Sequence, residues 1–228
     1  MRHPLSLLTR EVAPIALDHM HTALVLQDLH APFTDASDGV LAREARRRGV
    51  EREFDEYWSA VPDVLANTTR LLEAARDLGL RVHHVRMAHA SGGEPSAFQR
   101  SMGWAWDIGS DDAHVGERLM PRDGEGQHTK PGWGAWASPE LRSALQREGI
   151  HSVVLCGLPF DFGIRHSCFE FADAGLRTLV ANDATAALTA AAEAPTRGNL
   201  AHGATKLRST AEVLDLLERV PREGTVWV

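Results

Sequence analysis

Asp28, Lys130 and the turn from Gly157 to Gly163 are the places where this chain puts reactive or strained groups at the ends of apolar runs. Asp28 follows Ala23-Leu24-Val25-Leu26-Gln27, and Lys130 follows Gln127-His128-Thr129. The run Val154-Leu155-Cys156-Gly157-Leu158-Pro159-Phe160-Asp161-Phe162-Gly163 reads as a buried strand, a turn and the start of a helix. A carboxylate at the end of a buried parallel strand is partly desolvated, which raises its pKa and suits proton transfer. A lysine beside it can hold a carboxylate or stabilise developing negative charge. Each signal alone has a plain alternative: Asp28 as a loop cap, Lys130 as a solvated edge residue.

The elements between these points decide whether they can meet. Residues 21–27 are an apolar run ending near a turn signal, and Leu80–Met87 reads as a second strand. Residues 39–79 read as mostly helical and split near Pro62, with Gly79 a C-cap. Residues 90–125, with their Gly, Pro, Ser and the pair Trp104 and Trp106, read as a long functional loop. Gly126–Lys130 is a short third strand. Ser138 then N-caps a helix through Arg147, with Pro139 at its first position. A strand His151–Cys156, a helix from about Gly163 to Ala174 and a strand Leu176–Ala181 follow. Asp183–Ala192 reads as a turn and short helix, Thr210–Val220 as the last helix, and Thr225–Val228 as an edge strand. Strands alternating with helices imply parallel βαβ units. The expected fold is an α/β, Rossmann-like three-layer sandwich with a mostly parallel sheet flanked by helices, as one domain over residues 1–228 with its core at about 20–220. In such a sheet the strand ends carrying Asp28, Lys130 and the 157–163 turn share one edge, where open α/β folds place their sites.

Composition narrows the partners. A net charge of −7 and the absence of a long basic stripe argue against nucleic acid. The run Arg43-Glu44-Ala45-Arg46-Arg47-Arg48 reads as a solvated helix face. Cys156 and Cys168 do not make a disulfide framework. The start Met1-Arg2-His3-Pro4 leads into no apolar run long enough for a signal peptide, and no stretch approaches a membrane span, so a cytoplasmic location without a membrane partner is expected.

In this order and spacing the motifs resemble the isochorismatase-like hydrolase superfamily, the cysteine hydrolases. The family's first motif is an apolar strand, then Asp, Met, Gln, two residues and Phe; here Asp28 and Phe33 match, Leu29 stands for Met and His30 for Gln. Around Lys130 the family pattern is Gly-Glu, a short strand, Lys, then Ser-Ala-Phe; Gly124-Glu125 and Lys130 match, Gly134 replaces Ser and Trp136 replaces Phe. Gly157-Leu158-Pro159-Phe160-Asp161 resembles Gly-Val-x-Thr-Asn/Asp, a motif that commonly holds a cis peptide before x, and Phe160 replaces the polar Thr. Ser167-Cys168-Phe169-Glu170-Phe171 and Asp183-Ala184 continue the match, which covers about residues 20 to 220.

Most of the family carries its catalytic cysteine at the position of Gly163. Glycine cannot attack, Cys156 falls inside a strand, and Cys168 lies five residues along the helix, off the face of position 163, so both cysteines read as core thiols. The isochorismatases proper also have glycine there and hydrolyse a vinyl ether without a nucleophilic side chain. The resemblance therefore implies Asp28 as general acid and Lys130 placing the substrate or the acid. That branch has Tyr-Ala-His where this chain has Pro159-Phe160-Asp161, so related vinyl ethers, enamines and amides stay open, as do a C–N hydrolase using activated water and an inactive ligand-binding homologue.

Trp104, Trp106, Trp133 and Trp136 fall in the segments expected to cover the site. They are aromatic walls for a flat or cyclic substrate, or else ordinary loop packing or an interface. Trp104, Trp133 and Trp136 with Phe33, Leu158, Pro159, Phe160, Phe162 and His166 make the expected substrate-binding set. His166, one helical turn from Gly163, either faces the pocket or is an ordinary satisfied histidine. The family's metal-binding amidases start from an Asp-x-His pair of which Met87-Ala88-His89 keeps only the histidine, so no metal and no cofactor is expected; His83 and His84 lie on the strand before it. The expected partner is a small-molecule substrate, and the resemblance implies a homodimer or larger homo-oligomer.

Overall fold

The computed structural model describes residues 14–201, 204–221 and 223–228. The start of the chain, read above for a leader, lies outside them. In chain order the elements are β1 (Ala16–Leu17), β2 (Thr22–Gln27), α1 (Ala31–Thr34), α2 (Val40–Arg48), α3 (Asp55–Asp77), β3 (Arg81–Met87), α4 (Ala97–Met102) and β4 (Gly126–Lys130). Then come α5 (Pro139–Arg147), β5 (Ser152–Gly157), α6 (Arg165–Asp173), β6 (Arg177–Thr185), α7 (Ala190–Leu200), β7 (Thr205–Arg208), α8 (Thr210–Glu218) and β8 (Val226–Trp227).

Six strands make one sheet in the order β4-β3-β2-β5-β6-β7, every neighbouring pair parallel. The two central strands are buried along their whole length, and their alternation serves both faces. Leu24, Leu26, Val154 and Cys156 pack into one cluster with Val61, Leu71 and Leu72 of α3 and Val213 of α8. Ala23, Val25, Val153 and Leu155 pack into the other with Leu141 of α5 and Cys168 and Phe171 of α6. A strand buried on both faces needs a continuous apolar run, which is what these two strands have. The sheet is thus covered on both sides, as expected.

From β2 the chain builds outward through β3 to β4, then returns to place β5 on the other side of β2 and goes on to β6 and β7. Open α/β sheets bind their ligands at such a reversal, outside the carboxyl ends of the strands, here those of β2 and β5. Asp28 leaves β2 there, and the Gly157–Pro159 turn leaves β5.

Several boundaries differ from the sequence reading. Pro62 does not split the helical region: α3 runs through it, with Pro62 on the exposed side of the helix, and the break comes earlier, at Gly49 in the left-handed region and a short 3₁₀ turn. The 90–125 stretch contains α4, closed by a Ser96–Gln99 capping box. Strand β6 continues to Thr185, since Asp183, a turn signal by type, instead accepts the N–H and hydroxyl of Thr210 at 2.6 and 2.7 Å. The helix after it starts later, at Ala190. Strand β7 is an addition, and β8 pairs antiparallel with β1 rather than edging the main sheet.

Gly157 carries the tightest constraint. Its φ is 129°, and a Cβ there would lie 2.0 Å from the Gln27 carbonyl oxygen, which accepts the Leu158 N–H at 3.0 Å. Replacing Gly157 with Ala is expected to lower stability by roughly 3 kcal/mol, as backbone strain and overpacking add. A urea unfolding midpoint that falls accordingly, with an unchanged slope, checks this.

Candidate active site

Asp28 is the only non-glycine residue with positive φ (54°) among the described residues, a conformation aspartate tolerates better than most. Its N–H still pairs with Val85 O at 2.8 Å, and its Oδ1 accepts the Met87 N–H at 2.7 Å, so β3 holds it at both ends. Lys130, last residue of β4, sets its Nζ 2.7 Å from Asp28 Oδ2. Both side chains are fully buried. Nζ also donates to the carbonyls of Gly132 and Trp133, each at 2.7 Å. Three oxygens at that range fit an ammonium. Oδ2 has the Lys130 ammonium as its close partner.

Burial pushes the Asp28 carboxyl above the usual carboxylate range, against the opposing pull of the Lys130 charge, and burial pushes Lys130 down. His30 beside them is buried, with Nε2 3.3 Å from Met87 O and Nδ1 unpartnered. Burial, with Lys130 nearby, pushes its pKa down to about 3, so the ring is neutral.

Gly163 lies in a π-helical turn (Phe160–Ile164) that leads into α6, reached through a cis Leu158–Pro159 bond as the motif implies. A Cβ at position 163 would sit 3.5 Å from Asp28 Oδ2 and 2.6 Å from Gln27 Nε2. The strand ends thus bring Asp28, Lys130 and Gly163 together. No thiol joins them: Cys156 and Cys168 are buried, and burial pushes both thiols up to about 12.

With this geometry in place, the chain can be set against known proteins. Residues 22–212 match the model of the isochorismatase domain. The chain belongs to the isochorismatase family of hydrolases. It is 26% identical over 124 residues to the uncharacterized isochorismatase family protein YwoC of Bacillus subtilis, covering 53% of this chain and 66% of that protein's length. Its fold is shared with a cysteine hydrolase from Pseudomonas syringae (TM-score 0.77, 17% identity, 92% of this chain and 98% of that one). It is also shared with N-carbamoylsarcosine amidase from Thermoplasma acidophilum (TM-score 0.63, 22% identity, 84% and 97%).

Where this isochorismatase-family chain departs from the family motifs, its own packing gives the reason. A Cβ on Gly134 would lie 2.0 Å from Glu170 Oε2, which accepts the Trp136 N–H at 3.0 Å, so glycine replaces serine to admit that carboxylate. Phe160 is buried, with the Arg197 guanidinium 5.6 Å from its ring centre.

The aromatic residues divide. Trp133 gathers Phe33, Phe98, Trp104 and Phe162 at ring distances of 5.2 to 6.4 Å, and Trp106 sits on His30 and Phe33. Trp136 turns away and packs on Phe171, on the other face of the sheet. Leu158 is buried in the core, and Pro159 N-caps the π-helical turn. His166 is exposed and lines a cavity of about 430 Å³ with Trp133, Gly134 and Glu170. The 131–134 loop stands between that cavity and the Asp28–Lys130 pair. A separate apolar cavity of about 500 Å³, between α3 and residues 114–119, touches neither.

His83 and His84 point to the far end of the sheet, toward Glu148 and Glu125, each at about 3 Å, and His89 faces the Ala90 carbonyl. Among the described residues, ligand atoms converge only at Asp18, His21 and His151, within 4.8 Å of one another. They precede β2 and β5, at the opposite end of the strands from Asp28.

Sequence reasoning passed over Gln27 and Ser167. The available signals were an amide closing an apolar strand directly before Asp28, and a hydroxyl one helical turn after Gly163.

Breaking a buried ion pair strands the surviving charge. Asp28→Asn and Lys130→Met are each expected to cost about 3–5 kcal/mol, and the double variant less than the sum of the two. Urea unfolding of the four proteins checks it.

Proposed function

We propose that the protein hydrolyses a small cyclic or aromatic metabolite by acid catalysis from Asp28, with no covalent intermediate, and that a vinyl ether of the isochorismate type is the substrate. One observation carries the reading: Oδ2 of the buried Asp28 carboxyl, the oxygen paired with Lys130, lies 3.5 Å from where a Cβ of residue 163 would stand, and glycine puts no attacking group there. A vinyl ether suits such a site, because protonation alone activates it.

The chemistry then uses what the site holds. Oδ1 is tied to the Met87 N–H, so Oδ2 is the oxygen that carries and gives up a proton. Transfer to the terminal alkene carbon makes an oxocarbenium ion. Water adds to it and returns a proton to Asp28, and the hemiketal breaks to an alcohol and a ketone. From isochorismate the ketone is pyruvate. Lys130 holds the substrate carboxylate or steadies Asp28 when it is ionised. The aromatic group around Trp133 packs against the ring and keeps out water.

The burial of Asp28 gives the pH dependence its sign. A general acid works only while protonated, so kcat/KM falls as pH rises through its pKa, and a raised pKa moves that fall above the ordinary carboxylate value of about 4. Purified protein is expected to release pyruvate from isochorismate, measured as NADH oxidation by coupled lactate dehydrogenase. Asp28→Asn should lower the rate by about 10²-fold or more. Iodoacetamide is expected to leave the rate unchanged, both thiols being buried. A rate that instead rises with pH on amide or carbamoyl substrates would assign Asp28 the role of a base and replace the vinyl ether reading with C–N hydrolysis. A ligand-induced rise in melting temperature without any turnover would mark a binding protein.

A further inference from the structure

We propose that Gln27 is a positioning residue of this site: its side-chain amide takes the place of the missing nucleophile, keeps position 163 a glycine, and sets Asp28 and Lys130 through contacts it shares with them. The proposal deepens the hydrolytic reading and rests on it only for what the proton on Asp28 is used for.

Gln27 is fully buried at the last position of β2. Its Oε1 accepts the Ser167 hydroxyl at 2.6 Å, and its Nε2 donates to Trp133 O at 2.9 Å. Ser167 Oγ in turn accepts the Ala135 N–H at 2.8 Å. Trp133 O therefore receives both the Gln27 amide and the Lys130 ammonium, and Gln27 fixes the loop on which Lys130 is seated. A buried amide partnered in this way moves only by leaving polar groups unsatisfied.

A Cβ at position 163 would lie 2.6 Å from Nε2, nearer than a real side chain comes, and 3.1 Å from Leu158 O. The end of a glutamine is flexible in isolation; here Ser167 and Trp133 hold it. Glycine at 163 and glutamine at 27 thus belong together, and a side chain restored at 163 would have to expel the amide. The Gln27 amide also draws the Asp28 pKa back down, against the larger effect of burial.

Two measurements test this without a substrate. The first is a thermal-melt cycle with Gly163→Ala, Gln27→Ala and the double variant. Gly163→Ala is expected to lower the melting temperature by several degrees in the native chain and by less than half as much once Gln27 is removed. The second is ¹³C NMR titration of the Asp28 carboxyl, assigned by its loss in Asp28→Asn, in the native chain and in Gln27→Leu. Lys130 on β4 and Tyr57 on α3 act on the carboxyl directly, Arg86 on β3 and Glu170 on α6 act on its neighbours, neutral His30 and Lys130, and none is changed by the substitution. The Asp28 midpoint is expected to move to higher pH, which a purely space-filling Gln27 would not cause. Equal melting costs in both backgrounds, or an unmoved titration, overturn the proposal. A failure to hydrolyse vinyl ethers touches only the substrate reading.

Discussion

The 2.7 Å contact between Asp28 and Lys130 is the interaction the rest of the site is built to permit. Two fully buried charges lose their hydration, and their attraction repays it only where the remaining donors and acceptors are satisfied. The fold meets that condition with backbone. A left-handed residue after β2 turns the carboxylate toward β3, where the Met87 N–H takes one oxygen. The loop after β4 folds back so that two carbonyls take the other ammonium protons. The parallel order β4-β3-β2 brings the two residues to one edge, next to the reversal at β5 where open α/β sheets place their sites.

Departures from the family motifs come as exchanges of space. Gly163 lacks a side chain and Gln27 fills the gap; Gly134 lacks one and the Glu170 carboxylate enters. In each exchange a polar group from another element occupies the volume and bonds to the backbone of the 133–136 loop. The loop that seats Lys130 is therefore tied to β2 through Gln27 and to α6 through Ser167 and Glu170. An interior packed at this density does not leave a lost side chain as a void.

The same physics explains what was legible in the sequence. Asp28 and Lys130 each read alone as a loop cap or a solvated edge residue and are legible through the order and spacing of the motifs around them, while Gly157-Leu158-Pro159 stands out because its residue types restrict the backbone. The central strands are legible because burial on both faces demands an unbroken apolar run. Gln27 is not, because its meaning lies in a contact with Gly163, far along the chain. Trp136 carries the same hydrophobic signal as Trp133, and only the bond from its N–H to Glu170 and its packing on Phe171 show that it faces the other way. Strand β7, only partly buried, has no apolar pattern to announce it. Pro62 misleads because a proline breaks a helix only where its lost hydrogen bond matters, and its side of α3 faces water.

The opposed influences on Asp28 also bear on which substrate can use it. Burial favours the protonated acid, and the Lys130 ammonium favours the carboxylate. A substrate bearing its own carboxylate would share that ammonium, weaken its pull on Asp28 and raise the pKa further, so binding itself would load the acid. A neutral amide brings no such charge and leaves the balance where it stands. A substrate carboxylate sharing Lys130 would compete with the Gly132 and Trp133 carbonyls for Nζ, on the loop that also lines the cavity of about 430 Å³. On the acid-catalysis reading, binding of an anionic substrate at Lys130 would therefore also favour the proton on Asp28, through the exchange of a backbone oxygen for a carboxylate oxygen on a single buried ammonium.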